Sequence, residues 1–378
     1  MSKTTIEQKI KHERLQSLDV LRGFDMFWII GGGSLVVALA ATTGWPWLNT
    51  LAVQMTHVEW DGFRFWDLIF PLFMFITGVA IPYAMGSRLE KGVGRSPLLR
   101  KIVKRGIILV LLGIIYNGAL RGELTNIRYV SVLGQIGMSY MFAAIIFLYT
   151  GSFRVRLLWL AGIMVLVAVL QLFVSGPGFG PGLAVPSETI NAWLDRALVP
   201  GRLAYGEGTW DALGPLETFS SIPLALMGGL AGSLLRDGTP ASLRKTATLG
   251  VAGAVLIVAA ILISPFYPLI KVAWTTSFSM LTGGISLMLL ALFYFIIDVK
   301  KWTSGVISGN IALFFRVIGL NSITIYMVAR MTNFSHTSGY LLGWLGEYWG
   351  RWVVVAGVLA IHWLLLYYLY KRKIFLRI

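Results

Sequence analysis

Asp67-Leu-Ile-Phe-Pro71-Leu-Phe-Met-Phe-Ile-Thr-Gly78-Val-Ala-Ile-Pro82-Tyr-Ala-Met-Gly86 is the stretch that decides the fold. One charge stands at its first position, and nineteen residues follow without another. About 20 predominantly apolar residues are what a helix needs to cross the hydrocarbon of a bilayer. A helix on a soluble core keeps a polar face, and this stretch has none. Working outward, comparable blocks occupy 20–42, 105–121, 130–150, 157–175, 219–235, 247–265, 278–297, 312–332 and 352–370. The expectation is an all-α, polytopic membrane protein of about ten transmembrane helices. Residues 1–18 form a cytoplasmic tail and 19–378 a single transmembrane domain.

Composition agrees. The 378 residues are 56% hydrophobic and 13% charged, with mean hydropathy +0.74, where soluble domains carry roughly 25% charged residues. A net charge of +15 would suggest nucleic acid in a soluble chain, but here the cations fall in alternate inter-helix segments. With the N-terminus inside, 22 Lys and Arg lie on the inner side and eight on the outer, so both termini are expected in the cytoplasm. Ala38-Leu-Ala40 resembles a signal-peptide cleavage site. Asp19, Arg22 and Asp25 interrupt the apolar run before it, and a retained first span is expected. Cysteine is absent and the four histidines form no pair at metal-ligand spacing, so neither a thiolate nucleophile nor a metal enzyme is expected.

Charges within or beside spans cost free energy and point to function. Asp19 and Arg22 share a helix face one turn apart, as a structural ion pair or as an inner gate whose arginine receives an anion. His57-Val-Glu59-Trp60-Asp61-Gly62-Phe-Arg64-Phe-Trp66-Asp67 puts a histidine, three carboxylates and an arginine at the outer mouth. Asp67 there suits a helix N-terminus. Folded back through Gly62 and Pro71, it would also fix the His57 tautomer and raise its basicity. The outer side is acidic, with Asp195, Asp211 and Glu217 among its carboxylates. With Trp193, Tyr205 and Trp210 in the long loop 176–218 it suits a cationic ligand, or these are ordinary residues and interfacial anchors there. Gly31-Gly-Gly33 permits close packing or a helix break. His336 and His362 have no acidic company and read as bystanders.

These residues together resemble a known family. Arg14-Leu-x-Ser17-x-Asp19-x-x-Arg22-Gly23, His57-x-x-Trp60-x-Gly62 and Asp67-Leu-x-Phe-Pro71-x-Phe-x-Phe-Ile-x-Gly78 resemble the heparan-alpha-glucosaminide N-acetyltransferase family, more specifically its bacterial branch. The likeness continues through Thr218-x-x-x-Ile222-Pro223 with Gly228, Lys271-x-x-Trp274-x-x-Ser277 and Gly319-x-Asn321-Ser322. Where relatives read Leu-Gln-Arg, this chain has Leu133-Gly134-Gln135.

The resemblance implies transfer of acetyl from cytosolic acetyl-CoA, as co-substrate, to the amine of an amino sugar or glycan on the outer side. It places the enzyme in a bacterial cytoplasmic (inner) membrane, among lipids and as a homodimer. His57 then corresponds to the family's active-site histidine, with Asp67 as its partner. Arg22, Arg105, Lys271 and Asn321 are the candidates for holding the anionic donor. Glu59, Trp60, Asp61 and Trp274 are the candidates for the acceptor. A transporter or flippase for a sugar or lipid-linked substrate, with Asp19, Arg22 and Asp67 lining its pathway, is the alternative.

Overall fold

The computed structural model describes residues 15–121, 126–237, 239 and 241–376. Of the residues singled out above, Arg14 lies outside that set, as does most of the expected tail. The described chain is helical, with three isolated β-bridges. In chain order the helices are α1 (Gln16–Phe27), α2 (Gly33–Thr43), α3 (Pro46–Gln54), α4 (Phe65–Leu89), α5 (Arg95–Tyr116), α6 (Val132–Tyr149), α7 (Phe153–Phe173) and α8 (Ile190–Leu198). They continue with α9 (Pro215–Leu235), α10 (Leu243–Ile263), α11 (Thr276–Tyr294), α12 (Val306–Leu320), α13 (Ser322–Met331), α14 (Phe334–Trp349) and α15 (Trp352–Lys371).

Among the described residues eight helical segments are long and apolar enough to cross a membrane, and nine if α12 and α13 count as one bent span. The tenth expected span falls in α5, whose first half carries Arg95, Arg100, Lys101, Lys104 and Arg105. That half is too charged to count as apolar. Even so, α5 travels the length of the bundle. It starts after the end of α4, and Tyr116 at its far end lines the same cavity as His57, which precedes α4. Its 22 residues span about 33 Å at 1.5 Å per residue. The cations therefore sit at one end, with their stems along the helix as long basic side chains do at an interface.

The expected spans 20–42 and 312–332 are both interrupted. A π-helical turn, Trp28–Gly32, separates α1 from α2, and Gly31 there has φ 145°, which only glycine adopts readily. The exposed Ile30 carbonyl is met by His362 Nδ1 at 2.9 Å. An irregular backbone inside a membrane persists only where such partners exist. The second interruption, at Asn321, turns the chain by 69°.

At the centre, α4 and α9 are the most enclosed spans. A Cβ on Gly228 would lie 2.0 Å from the Phe75 carbonyl oxygen, and one on Gly78 2.1 Å from that of Ala225. The two backbones touch through glycine, the usual device of membrane helices. At the periphery, α10 and α15 are mostly uncovered, and Val251, Val255 and Leu262 on α10 are more than 60% exposed. These faces are solvated by lipid tails.

Candidate active site

Asp67 is the third residue of α4 and fully buried. Its Oδ2 accepts from the amides of Arg64 at 3.1 Å and Val58 at 3.4 Å. Burial of a carboxylate costs several kcal/mol unless such partners exist. The other oxygen faces His57, whose Nδ1 lies 2.7 Å from Oδ1. The chain reverses between the two at Gly62, with φ 129°. Pro71, expected to share in that reversal, lies inside α4 instead. Arg64 Nη1 donates to Thr56 Oγ1 at 2.6 Å and to the His57 carbonyl at 3.0 Å, tying down the segment that carries the ring.

Lys271 completes the cluster. Its Nζ is 3.3 Å from Asp67 Oδ1, and 2.8 and 3.1 Å from His57 Nδ1 and Nε2. An in-plane atom so close to both ring nitrogens would collide with the carbon between them. The ammonium therefore lies over the ring face, and neither nitrogen's in-plane bond is blocked. Nδ1–H donates to Asp67, leaving the Nε2 lone pair free, and the side chain is half exposed. Burial pulls the Lys271 pKa down to about 8, against the Asp67 charge that holds it up. Asp61 brings these distant segments together. It pairs with Ile270 in a β-bridge, its Oδ1 accepts from the Leu269 amide at 3.0 Å, and Gly62 N donates to the Leu269 carbonyl at 3.0 Å.

His57 and Lys271 stand on the rim of a cavity of about 750 Å³, within the usual range for a small-molecule site. Glu59 and Arg128 share the rim, and the stacked pair Tyr205–Trp210, 4.6 Å between centroids, forms part of its roof. The walls below are apolar, down to Met26, Phe73 and Ile136. Trp274, buried with φ 51°, also lines it. A non-glycine residue in that conformation costs ~1–3 kcal/mol and tends to mark a functional site.

The structure thus gathers His57, Lys271, Glu59 and Trp274 around one cavity, with Asp67 buried behind the His57 ring. Asp61 is spent on the backbone bridge, and Trp60 donates its indole N–H to the Leu183 carbonyl at 2.9 Å. Arg22, Arg105 and Asn321 are not among the cavity's lining residues. Arg22 lies 4.0 Å from Asp19, the limit of an ion pair. Arg105 covers the Tyr140 ring at 4.3 Å. Asn321 holds the C-terminal segment, donating to the Ile374 carbonyl at 3.0 Å and accepting from Leu376 N at 3.2 Å. Gln135 of the altered Leu-Gly-Gln segment is buried and donates to the Glu217 carbonyl at 3.0 Å.

The acidity of the outer side is not all at its surface. Asp195, Asp211 and Glu217 are buried, not part of an acidic surface. Asp211 takes the guanidinium of Arg128 in a fork of 2.6 and 2.8 Å, which fixes the cavity roof. Arg128, Tyr116 and Tyr326 escaped notice as cavity residues, since nothing along the chain joins them. Only the fold does.

No family model matches the chain. It is 27% identical to heparan-alpha-glucosaminide N-acetyltransferase of Mus musculus over an alignment of 377 residues, which covers 85% of this chain and 56% of the mouse protein. The human protein of the same name is also 27% identical, over 368 residues, with 83% and 52% covered. The chain spans about half the length of the curated relatives it matches. With its helical membrane architecture, it is a distant relative of heparan-alpha-glucosaminide N-acetyltransferase.

Proposed function

We propose that the protein is a membrane N-acetyltransferase that moves acetyl from acetyl-CoA to the amino group of a sugar or glycan held in the cavity beside His57. The observation that carries the reading is the His57–Asp67–Lys271 cluster on the rim of a cavity large enough for a sugar. The name shared by the two curated relatives supports the reaction class.

In this reaction the amine nitrogen attacks the thioester carbonyl. His57 Nε2 takes the proton the amine loses, and Asp67 stabilises the imidazolium through Nδ1–H. The oxyanion of the tetrahedral intermediate forms beside the Lys271 ammonium, a positive charge placed before the reaction begins. The C–S bond then breaks, and His57 returns its proton to the departing thiolate of coenzyme A. Lys271 thus belongs to the reacting centre and not to donor anchoring. The donor's phosphates belong at the opposite, basic end of the bundle, where Arg22 and Arg105 lie. The protein would work in a bacterial inner membrane, with the donor drawn from the cytoplasm.

The test is transfer of labelled acetyl from acetyl-CoA to a panel of amino sugars by protein reconstituted in proteoliposomes, followed by mass spectrometry. Wild type acetylates at least one sugar and His57→Ala none. Full transfer by His57→Ala would remove the assignment, and net sugar movement without acetyl-CoA would favour a transporter.

A further inference from the structure

Behind the cavity roof lie two carboxyl groups that the proposed reaction does not use. Asp195 on α8 and Glu217 in the first turn of α9 are 0% and 1% exposed. One oxygen of each is satisfied. Asp195 Oδ2 accepts from the Asp211 amide at 2.8 Å, and Glu217 Oε1 from Asn191 Nδ2 at 2.7 Å. The remaining oxygens, Asp195 Oδ1 and Glu217 Oε2, have no partner among the described residues. Both lie against the same side of Gly214. The place where a side chain on Gly214 would begin is 1.7 Å from Asp195 Oδ1 and 2.8 Å from Glu217 Oε2. Two carboxyl groups meeting out of water cannot both stay ionised.

The surroundings do not neutralise the pair. Asp211 faces it from the roof segment, itself held by Arg128. Arg196 follows Asp195 on α8 but donates to the carbonyls of Ser187 and Thr209. From α6 and α7 the polar neighbours are the neutral Gln135 and Gln171, and the latter carries the Tyr267 hydroxyl. Burial pushes Asp195 up to about 7, with the Asp211 amide pulling down, the Asp211 charge pushing further up and the Arg196 charge opposing it.

We propose that Asp195 and Glu217 share one proton, and that this bridge is a positioning element that sets the roof of the cavity, so that acceptor binding follows pH. The connection is continuous. Asp195 holds the Asp211 amide, and the Asp211 carboxylate holds Arg128 together with the amides of Ala204 at 3.1 Å and Leu213 at 3.0 Å. Tyr205, Trp210 and Leu213 of that segment line the cavity. When the bridging O–H bond breaks, the proton leaves to water. The two carboxylates repel, and the roof anchored on Asp195 loosens. The effect on turnover rests on the acetyltransferase reading, whereas the shared proton does not.

The sign follows from linkage. A carboxyl held above its unfolded value gives stability that is complete at acid pH and lost as pH rises through about 7. Hydrogen exchange of residues 199–214 in the full chain in nanodiscs, corrected for intrinsic rates, tests this from pH 5 to 9. Wild type loses protection at least fivefold across neutrality. Glu217→Gln, whose amide donates to Asp195 at every pH, stays flat, and Asp195→Asn is the second variant if Glu217→Gln does not fold. In transfer assays the acceptor KM rises across neutrality in wild type alone, while kcat follows the same pH profile in wild type and Glu217→Gln. Equal loss of protection in wild type and variant overturns the proposal, as does a wild-type profile without a transition. A switch in exchange with no transfer to any sugar would sink the acetyltransferase reading and leave this one standing.

Discussion

Replacing Asp67 by Asn probes the electrostatic part of the proposed catalytic cluster. The side chain keeps its shape, and its one oxygen accepts from the Arg64 and Val58 amides. Its NH2 group then faces His57 Nδ1, which must accept and carry its proton on Nε2 instead. The variant loses the charge that faces His57 Nδ1 at 2.7 Å and Lys271 Nζ at 3.3 Å. Hydrogen bonds to a charged group contribute ~1.5–3 kcal/mol and neutral ones ~0.5–1.5 kcal/mol. Asp67 is fully buried, so solvent screening does not shrink the difference. With the charge lost and the His57 tautomer reversed, the loss of transition-state stabilisation is no smaller than about 2–3 kcal/mol, or roughly 30- to 150-fold in kcat/KM at 1.36 kcal/mol per decade. A second signature follows from Lys271. The Asp67 charge holds its pKa up against burial, so in Asp67→Asn that pKa falls further below about 8. The alkaline limb of the pH–rate profile then moves to lower pH. The assay is steady-state acetyl transfer in nanodiscs from pH 6 to 10, with acceptor affinity measured separately. A kcat/KM within threefold of wild type, or an unmoved alkaline limb, would refute the reasoning.

Three further outcomes are expected. Lys271→Arg keeps its charge at every accessible pH, so the decline of wild-type activity above about pH 8 vanishes from its pH–rate profile. Asp61→Ala removes the bond to the Leu269 amide, a loss of ~1 kcal/mol, so kcat drops about fivefold while donor affinity, measured by titration calorimetry, holds. Gly228→Ala drives a methyl group to 2.0 Å from the Phe75 carbonyl, so α4 and α9 must separate. Thermal unfolding in detergent reports this as a large drop in Tm or loss of folded protein.

What the chain made legible follows the range of the forces involved. The run 67–86 announces a span because apolarity over that length has no other use. His57 and Asp67 lie ten positions apart with a glycine between, so their meeting can be read along the chain. Lys271 is 214 positions from His57. Its motif was visible, but the Asp61–Ile270 bridge that delivers it depends on the packing of the outer segments. The sequence therefore grouped Lys271 with the donor anchors and did not show that it sits over the His57 ring. The acidic outer loops were legible only in part, for a similar reason. A carboxylate count does not reveal that Asp195, Asp211 and Glu217 turn inward on Arg128 and on each other. For α5 the cations before an apolar run were legible, and a span was expected at 105–121; what the chain did not show is that the helix already begins at Arg95, among those cations.

The cavity also constrains how acetyl could reach His57. Its lining ends at Met26, Phe73 and Ile136, whereas the expected donor anchors Arg22 and Arg105 are not in contact with it. Next to that floor, Leu21, Leu72, Phe75 and Ile76 are completely buried. In this conformation the His57 side is open, and the layer toward the basic end is packed. For acetyl-CoA bound at the basic end to serve His57, that layer must part. The break at Gly31 lies in the π-helical turn that supplies Ile29 to the cavity wall and follows the α1 segment that supplies Met26, and the break at Asn321 precedes the α13 segment that supplies Ile323. The chain has no cysteine, so a thiol placed at Ile29 reports accessibility without background. Ile29→Cys in oriented proteoliposomes is expected to react with a membrane-impermeant maleimide from the His57 side alone. Acetyl-CoA supplied at the basic side should open the second route or protect the thiol. Equal labelling from both sides without acetyl-CoA would show that the packed layer is no barrier, and the requirement for opening would fall with it.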